Sequence, residues 1–185
     1  MTERGIEVDR GTTTLTNVTI AGNGSAGEAQ LNVVAGNGAA ATVESTIIAN
    51  AVGGGKNCDG VAPTSNGFNL DSANSCSFGM PNDLINTNPL LGPLQNNGGP
   101  TFTIAPLAGS PAINKGANPL ALAFDQRGPG FARVVGVAAD IGAFEVQAAP
   151  SAPVAMPTLN GGASFALSAL SALIGLAVLR RRRRS

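Results

Sequence analysis

The sequence contains no histidine, tryptophan or tyrosine, and its only aromatic side chains are seven phenylalanines. Without histidine the chain has no Ser-His-Asp triad, no imidazole acid or base and no His-metal site. The scarcity of aromatic residues, and the absence of a basic patch before the C-terminus, argue against nucleic-acid binding. We therefore expect no cofactor, no bound metal and no nucleic-acid partner.

Charge is also scarce, because only 12% of the 185 residues are charged, against about 25% in an ordinary soluble domain. The formal net charge is zero, and residues 1–179 carry six basic and eleven acidic groups. The other five of the eleven basic residues form one run at the C-terminus: Arg180, Arg181, Arg182, Arg183 and Arg184. Basic charge concentrated in this way is typical of a topology signal.

Turn-forming residues are abundant, with 25 glycines and 12 prolines. Many asparagines precede glycine or proline, and Asn and Gly accept a positive φ at low cost. The apolar runs between these turns are short, and small Ala and Val dominate them. Frequent turns that separate short apolar runs indicate an all-β fold.

Two segments of the first half repeat at an offset of 28 residues: 15–21 (LTNVTIA) and 43–49 (VESTIIA), with a short apolar run at 31–34 between them. A repeat of this length with several short strands predicts a parallel β-helix, whose coils must stack to bury their apolar sides. A hairpin-linked antiparallel β-sandwich is the alternative. The predicted inward residues are Leu15, Val18 or Ile20, Leu31, Val33, Val43 and Ile48, and the predicted turn residues are Asn17, Asn23 and Asn50.

The two cysteines, Cys58 and Cys76, are separated by 17 residues. Two cysteines without histidine do not make an ordinary closed zinc site. The spacing suits a loop-closing disulfide, worth about 3 kcal/mol in the chain-entropy model. We predict this disulfide, and the alternative is a pair of buried free thiols.

Residues 163–179 form an uncharged, apolar stretch that ends abruptly at the arginine run. A helix of this length spans about 25 Å, just enough for a bilayer core when a few preceding residues join it. Arginines remain on the cytoplasmic side, so residues 180–185 are the predicted cytoplasmic tail. A buried amphipathic helix is the alternative, but no face of the stretch is more polar than serine.

Residues 148–162 form a predicted disordered linker rich in Ala, Pro, Ser and Gly, and within it stands Met156-Pro157-Thr158-Leu159. Linker, tetrapeptide, apolar helix and arginine cluster, in this order, resemble the bacterial PEP-CTERM and IPTL-CTERM sorting signals. The tetrapeptide looks most like the IPTL version, with Met in place of Ile. This resemblance implies an exosortase-like protease that removes the helix and passes the remainder to the surface or the medium.

A series of motifs across the second half resembles the choice-of-anchor Q domain of bacterial surface proteins. These motifs are, in order, NCDG at 57–60, GFNL at 67–70, SC at 75–76, NPLLGPL at 88–94, NNGGPT at 96–101, GSPAIN at 109–114, DQRG at 125–128 and DIGAFE at 140–145. The resemblance covers about residues 11–146. It implies an exported protein built as a right-handed parallel β-helix whose last coils carry these motifs. We accordingly predict one β-helix domain with a closing cap over residues 1–147.

Clustered charges in the second half suggest two readings. Asp125 and Asp140 are candidates for paired catalytic carboxylates of a polysaccharide hydrolase or lyase. The structural reading, which we favour, is that Arg127 bridges Asp140 or Asp125 and pins the final coil as a cap salt bridge.

A second cluster of oxygen-bearing side chains is a weak calcium candidate. Asn57, Asp59 and Asp71 offer oxygen ligands of the kind that Ca²⁺ prefers. Their spacing does not fit a known calcium turn, and we predict no metal site.

The sequence favours a non-enzymatic protein of the cell envelope that uses its coils for adhesion, matrix packing or glycan contact. The alternative is the C-terminal cap and anchor of a carbohydrate-active enzyme whose catalytic coils lie upstream. Residues 1–5 are polar and charged, and only about two coils fit before residue 60. We therefore expect the C-terminal piece of a longer exported β-helix or a misplaced start, and a fragment that does not fold alone is a third reading.

Overall fold

The computed structural model describes residues 5–23 and 27–147, and these residues belong to one compact unit. In the described part, the fold is all-β apart from one 3-10 turn at Val52–Gly54.

The predicted features of the C-terminal region lie outside the described residues. They are the linker 148–162, the sorting motif Met156-Pro157-Thr158-Leu159 and the transmembrane segment 163–179. The topology signal made by Arg180, Arg181, Arg182, Arg183 and Arg184 lies outside them as well. These features therefore stay predictions from the sequence.

The first nine strands of the described chain follow one another in three groups of three, and each group makes one circuit that we call a coil. Their bounds are β1 (Ile6–Val8), β2 (Thr12–Thr16) and β3 (Thr19–Ala21) in coil 1, β4 (Leu31–Val33), β5 (Ala40–Glu44) and β6 (Ile47–Ala49) in coil 2, and β7 (Cys58–Gly60), β8 (Thr64–Ser65) and β9 (Leu70–Asp71) in coil 3.

Equivalent strands of successive coils pair in parallel, which gives three sheets with the orders β1-β4-β7, β2-β5-β8 and β3-β6-β9. In the second and third sheets Leu15 is opposite Val43 and Ile20 is opposite Ile48, so the predicted 28-residue repeat is confirmed residue by residue. Consecutive strands of a sandwich would pair antiparallel. The parallel pairing therefore excludes the sandwich for these nine strands.

The interior of the coils is apolar, and the predicted inward residues occupy it. One buried cluster contains Leu15, Ile20, Leu31, Val33, Val43 and Ile48. Val18, the alternative to Ile20, packs against this cluster as a half-buried residue. Burying each of these aliphatic side chains contributes about 1.5–3 kcal/mol, so the stacked interior is the main source of stability in the coils.

Each coil turns between its second and third strands at a residue with a left-handed backbone. These residues are Asn17 (φ 55°), Ser45 (φ 51°) and Phe68 (φ 59°). Asparagine adopts this conformation at little cost, whereas serine and phenylalanine do so only where neighbours hold them. Two backbone bonds between coils hold this corner, from Asn17 N to Glu44 O and from Ser45 N to Gly67 O.

Regular strands of the stack end at coil 3, whose inward positions are smaller or polar, and beyond it a single parallel bridge joins Leu70 to Leu84. Ser65 stands opposite Val43, and Asp71 stands opposite Ile48. Cys76 and Phe78, which follow the last strand of the coil, pack into the apolar cluster. Residues 72–84 therefore close the described coils at this end.

After coil 3 the chain forms an antiparallel hairpin of β10 (Leu91–Gln95) and β11 (Thr103–Pro106). Residues 107–147 contain no regular strand, and we call them the flanking segment. Prolines recur through both regions, and each one removes a backbone donor that a sheet would need. Of the expected final-coil motifs, only those between residues 57 and 76 lie in or beside coil 3, and those from residue 88 onward do not form coils.

The flanking segment covers the outer face of the third sheet. Its Ala112 and Ile141 pack against Ile47, Ala49 and Leu70, which explains why β6 is buried on both faces. Backbone bonds join Gly142 N to Ser45 O, and Ala143 N donates to Thr19 Oγ1. A Cβ on Gly142 would lie 2.6 Å from Thr19 Oγ1, so this close approach requires glycine.

Candidate functional site: a buried charge cluster beside an open pocket

Asp125 and Arg127 form a buried ion pair in the flanking segment. Arg127 Nη2 lies 2.6 Å from Asp125 Oδ2, and both side chains are almost fully buried. Asp125 also accepts hydrogen bonds from the backbone N–H groups of Arg127 (2.8 Å) and Glu145 (2.9 Å). The predicted salt bridge is therefore made with Asp125, and it lies on the flank of the coils and not in a terminal cap.

The guanidinium group of Arg127 also contacts two backbone carbonyl oxygens and two phenylalanine rings. Its Nη2 donates to the carbonyl oxygen of Glu145 (2.6 Å), and its Nη1 donates to that of Asn97 (3.4 Å). Its guanidinium carbon lies 3.9 Å from the ring centre of Phe131 and 3.7 Å from that of Phe144. Arginine stacks on aromatic faces as well as pairing with carboxylates. Through these contacts Arg127 links Asn97, in the turn of the β10–β11 hairpin, to Asp125 and Glu145 of the flanking segment. This is a structural role.

Asp140 does not pair with Arg127. Its two carboxylate oxygens accept hydrogen bonds from Asn114 N and Val146 N, each at 2.7 Å. The oxygens of Asp125 and Asp140 are therefore occupied by donors of the protein itself. The interpretation of this pair as catalytic carboxylates has no support in this arrangement, because both side chains are buried and already bonded.

Glu145 completes the cluster and is fully buried. Its oxygens accept 2.7 Å hydrogen bonds from Val135 N and Asp140 N. Burial raises the pKa of Glu145, and these N–H donors and the charge of Arg133 offset part of the increase. Like Asp125 and Asp140, this carboxylate serves as an acceptor for backbone groups that lack a sheet partner.

Arg133 is the charged residue that the sequence did not reveal, because it stands alone in the apolar run FARVV. It is 1% exposed, and its Nη2 donates to the carbonyl oxygen of Asp140 at 2.6 Å. Its Nε and Nη1 have no hydrogen-bond partner. Burial lowers the pKa of Arg133, and the nearby charges of Glu145, Asp125 and Asp140 oppose the decrease.

Arg133 lines an open pocket between coil 1 and the flanking segment. The pocket has a volume of about 560 Å³, and Val18, Leu122 and Phe124 contribute apolar walls. Asn17 also lines it; its Nδ2 donates to Ala117 O, but its buried Oδ1 has no partner. The pocket volume falls within the range of about 300–1,000 Å³ that is common for small-ligand sites.

The cysteines form the predicted disulfide, with a Cα–Cα distance of 4.8 Å. Cys58 begins the first strand of coil 3, and Cys76 follows its last strand, so the bond closes that coil. Both residues are buried in the apolar cluster of the coils. The alternative of two free thiols is therefore wrong.

The structure brings two of the three weak calcium candidates, Asn57 and Asp71, into contact. Asp71 is buried and accepts hydrogen bonds from Asn57 Nδ2 (2.6 Å) and from the N–H groups of Ala73 and Cys76. Asp59 is exposed and pairs with Lys56 at 2.8 Å. Among residues 5–23 and 27–147, no three His, Cys, Asp or Glu side chains form a group suited to a metal ion.

None of the residues that the structure describes forms a helix long and apolar enough to span a membrane, and segment 163–179 is not among them. Comparison of the chain with protein-family models, curated proteins and solved structures returns no match.

Proposed function

We propose that this chain is a non-enzymatic, exported protein of the cell envelope, anchored or sorted through its C-terminus. The observation that carries the proposal is the order of sequence features after residue 147: a linker rich in Ala, Pro and Ser, the tetrapeptide Met156–Leu159, the apolar stretch 163–179 and the run Arg180–Arg184. The Cys58–Cys76 disulfide supports it, because structural disulfides persist mainly in oxidising compartments.

In this proposal the stacked coils are a right-handed parallel β-helix of the choice-of-anchor Q type, which presents its surface for adhesion or for contact with matrix or glycan. The apolar stretch 163–179 spans the inner membrane, with the described domain outside the cytoplasm. An exosortase-like protease then cleaves near Met156–Leu159 and releases the domain to the surface or the medium. The alternative is that this chain is the C-terminal cap and anchor of a carbohydrate-active enzyme whose catalytic coils lie upstream. In that case too, Asp125 and Asp140 are structural, because their oxygens accept hydrogen bonds from backbone donors.

Topology is tested with a phosphatase reporter, active only outside the cytoplasm, either inserted after Gln147 with residues 148–185 retained or fused after Ser185. The first fusion is expected to be active and the second inactive, because the arginine tail holds the C-terminus inside. Replacing the five arginines with serine is the matched control, and it should abolish the difference. An active fusion after Ser185 in the unaltered chain would contradict the orientation.

Processing is tested by mass spectrometry of the mature protein from envelope and medium fractions of the native host. A C-terminus between residues 156 and 160 supports sorting by a protease. An intact arginine tail in the membrane fraction would mean that the segment is a permanent anchor and would remove the sorting step.

A further inference from the structure

Every buried side-chain nitrogen or oxygen that lacks a hydrogen-bond partner in the described chain belongs to one of two residues. These atoms are Nε and Nη1 of Arg133 and Oδ1 of Asn17. The two residues belong to different regions, the flanking segment and coil 1, yet they line the same pocket. A buried unpaired polar group costs about 1–3 kcal/mol, and more when it is charged. Their concentration at one opening indicates a site for a ligand.

Arg127, in the same segment, provides a comparison, because its guanidinium group is bonded within the protein. Its guanidinium pairs with Asp125, donates to two carbonyl oxygens and lies between two phenylalanine rings. Arg133 is at least as deeply buried, but it makes one hydrogen bond within the protein. The difference leaves two donors of Arg133, Nε and Nη1, that no group of the described protein accepts.

The charges around Arg133 determine whether a charged or an uncharged ligand fits the pocket. The buried cluster that contains Arg133 has three carboxylates, those of Glu145, Asp125 and Asp140, against the two guanidinium groups of Arg127 and Arg133, so its acids outnumber its bases. An added carboxylate or phosphate would face these three acids. An uncharged group with oxygen acceptors avoids this repulsion. Asn17 Oδ1 needs a donor as well, and a hydroxyl group both donates and accepts.

The apolar walls of the pocket indicate which class of uncharged ligand fits it. Phe124 is 45% exposed and Leu122 is 41% exposed, although both are large apolar side chains. A pyranose ring combines an apolar C–H face, suited to a phenyl ring, with hydroxyl groups at its edge. The unpartnered atoms are themselves buried, so a ligand reaches them only when side chains that line the pocket shift.

We propose that the pocket formed by Asn17, Leu122, Phe124 and Arg133 binds an uncharged saccharide residue, whose hydroxyl groups pair with Arg133 and Asn17 while its C–H face packs on Phe124. This proposal deepens the glycan contact proposed above and rests on it for the source of the sugar. It involves no chemical step on the sugar.

Saturation-transfer-difference NMR on the purified full-length chain tests the site with four uncharged probes, the methyl glycosides of glucose, galactose, mannose and N-acetylglucosamine. At least one probe is expected to give a saturable signal. Arg133→Met should weaken that binding about tenfold, the equivalent of roughly one lost hydrogen bond from a charged donor. Absence of a saturable signal from all four probes with the folded protein would overturn the proposal.

Phe124→Ala is the second variant, and it is expected to weaken binding severalfold. Its matched control is Phe102→Ala, which removes another exposed phenylalanine that does not line this pocket and should leave binding unchanged. Circular dichroism melting of each variant identifies any loss of fold. Binding that survives both Arg133→Met and Phe124→Ala would contradict the assignment of the pocket.

A charged probe separates this proposal from a simple anion site. Methyl glucuronide should bind more weakly than methyl glucoside, because its carboxylate meets the acids around Arg133. Tighter binding of the glucuronide would overturn the inference of an uncharged ligand. These measurements use purified protein, so a failure of export in the host would refute the proposed function without affecting their outcome.

Discussion

In the three coils, the strands pair their backbone groups with neighbouring coils, and aliphatic side chains fill the interior. The flanking segment has no regular strand, so its backbone N–H groups have no neighbouring strand to pair with. Several of them donate instead to buried carboxylates. Asp125, Asp140 and Glu145 together accept six hydrogen bonds from backbone N–H groups. The comparison shows that one compact unit satisfies its buried backbone groups in two ways, by repetition and by carboxylates.

The coils and the flanking segment differ in their sensitivity to pH and to the loss of a charge. Coils 1 and 2 depend mainly on apolar burial and on regular pairing, neither of which changes with the protonation of a side chain; coil 3 adds the buried carboxylate of Asp71. The flanking segment depends on carboxylates that must remain buried, bonded and correctly charged. We therefore expect pH and the loss of single charges to act mainly on the flanking segment.

The largest expected effect is that of Arg127→Met. The change leaves Asp125 buried without its counter-charge, which costs about 3–5 kcal/mol when one partner of a buried pair is removed. Urea unfolding of the full-length chain measures the loss. Lys56→Met is the matched control, because the pair of Lys56 with Asp59 is exposed and is worth at most about 1 kcal/mol. Equal losses in the two variants would contradict the structural role of Arg127.

Next in size is the removal of the disulfide in coil 3. The double substitution of Cys58 and Cys76 by serine should lower the free energy of unfolding by about 3 kcal/mol, as expected for a loop of this length. Reduction of the unaltered protein with dithiothreitol should produce a similar shift in the urea midpoint. If neither treatment moves the midpoint, the bond does not stabilise coil 3.

A smaller effect concerns pH. Burial raises the pKa of Glu145 above its value in the unfolded chain, which is about 4.3. Between these two values the folded state binds more protons than the unfolded state, so the contribution of Glu145 to stability falls as the pH rises through that window. Glu145→Gln should remove this part of the slope, as measured by melting temperatures from about pH 4 to about pH 7.

The same variant also tests the carboxylate as an acceptor. Glutamine keeps one acceptor oxygen, so either Val135 N or Asp140 N loses its partner, at a cost of about 1–3 kcal/mol. An unchanged pH slope together with unchanged stability would show that Glu145 does not hold these two groups.

The smallest expected effect on stability is that of Arg133→Met. The change removes one hydrogen bond to Asp140 O and the attraction to nearby acids, but it also removes the burial of two unpaired donors. We expect a net change of about 1 kcal/mol, well below that of Arg127→Met, in the same urea titration. A loss as large as that of Arg127→Met would place Arg133 among the structural anchors.

The coils were the predictable region, because repetition is visible in sequence. The segments 15–21 and 43–49 indicated the register that the strands adopt, and the spacing of Cys58 and Cys76 indicated the disulfide. Ser45 and Phe68 were missed as corner residues, since only their position opposite the Asn17 corner explains their positive φ. The end of the stack at coil 3 was missed because its polar inward residues interrupt the apolar pattern without a strong signal.

The flanking segment was less predictable, because its contacts join residues distant in sequence by side chains that follow no period. Arg127 and Asp125 are two residues apart, so their pairing can be predicted from the sequence. Arg133 gave no such signal, and its pocket forms only where Asn17 of coil 1 meets a segment about a hundred residues later. A site made of two such regions becomes visible only in the folded chain.

The most direct test of export is the redox state of Cys58 and Cys76 in living cells of the native host. Rapid acid quenching followed by thiol alkylation and mass spectrometry measures it without a folding step in vitro. We predict that both sulfurs are protected as a disulfide in protein recovered from outside the cytoplasm. A full-length chain recovered from the cytosol with both thiols alkylated would contradict it.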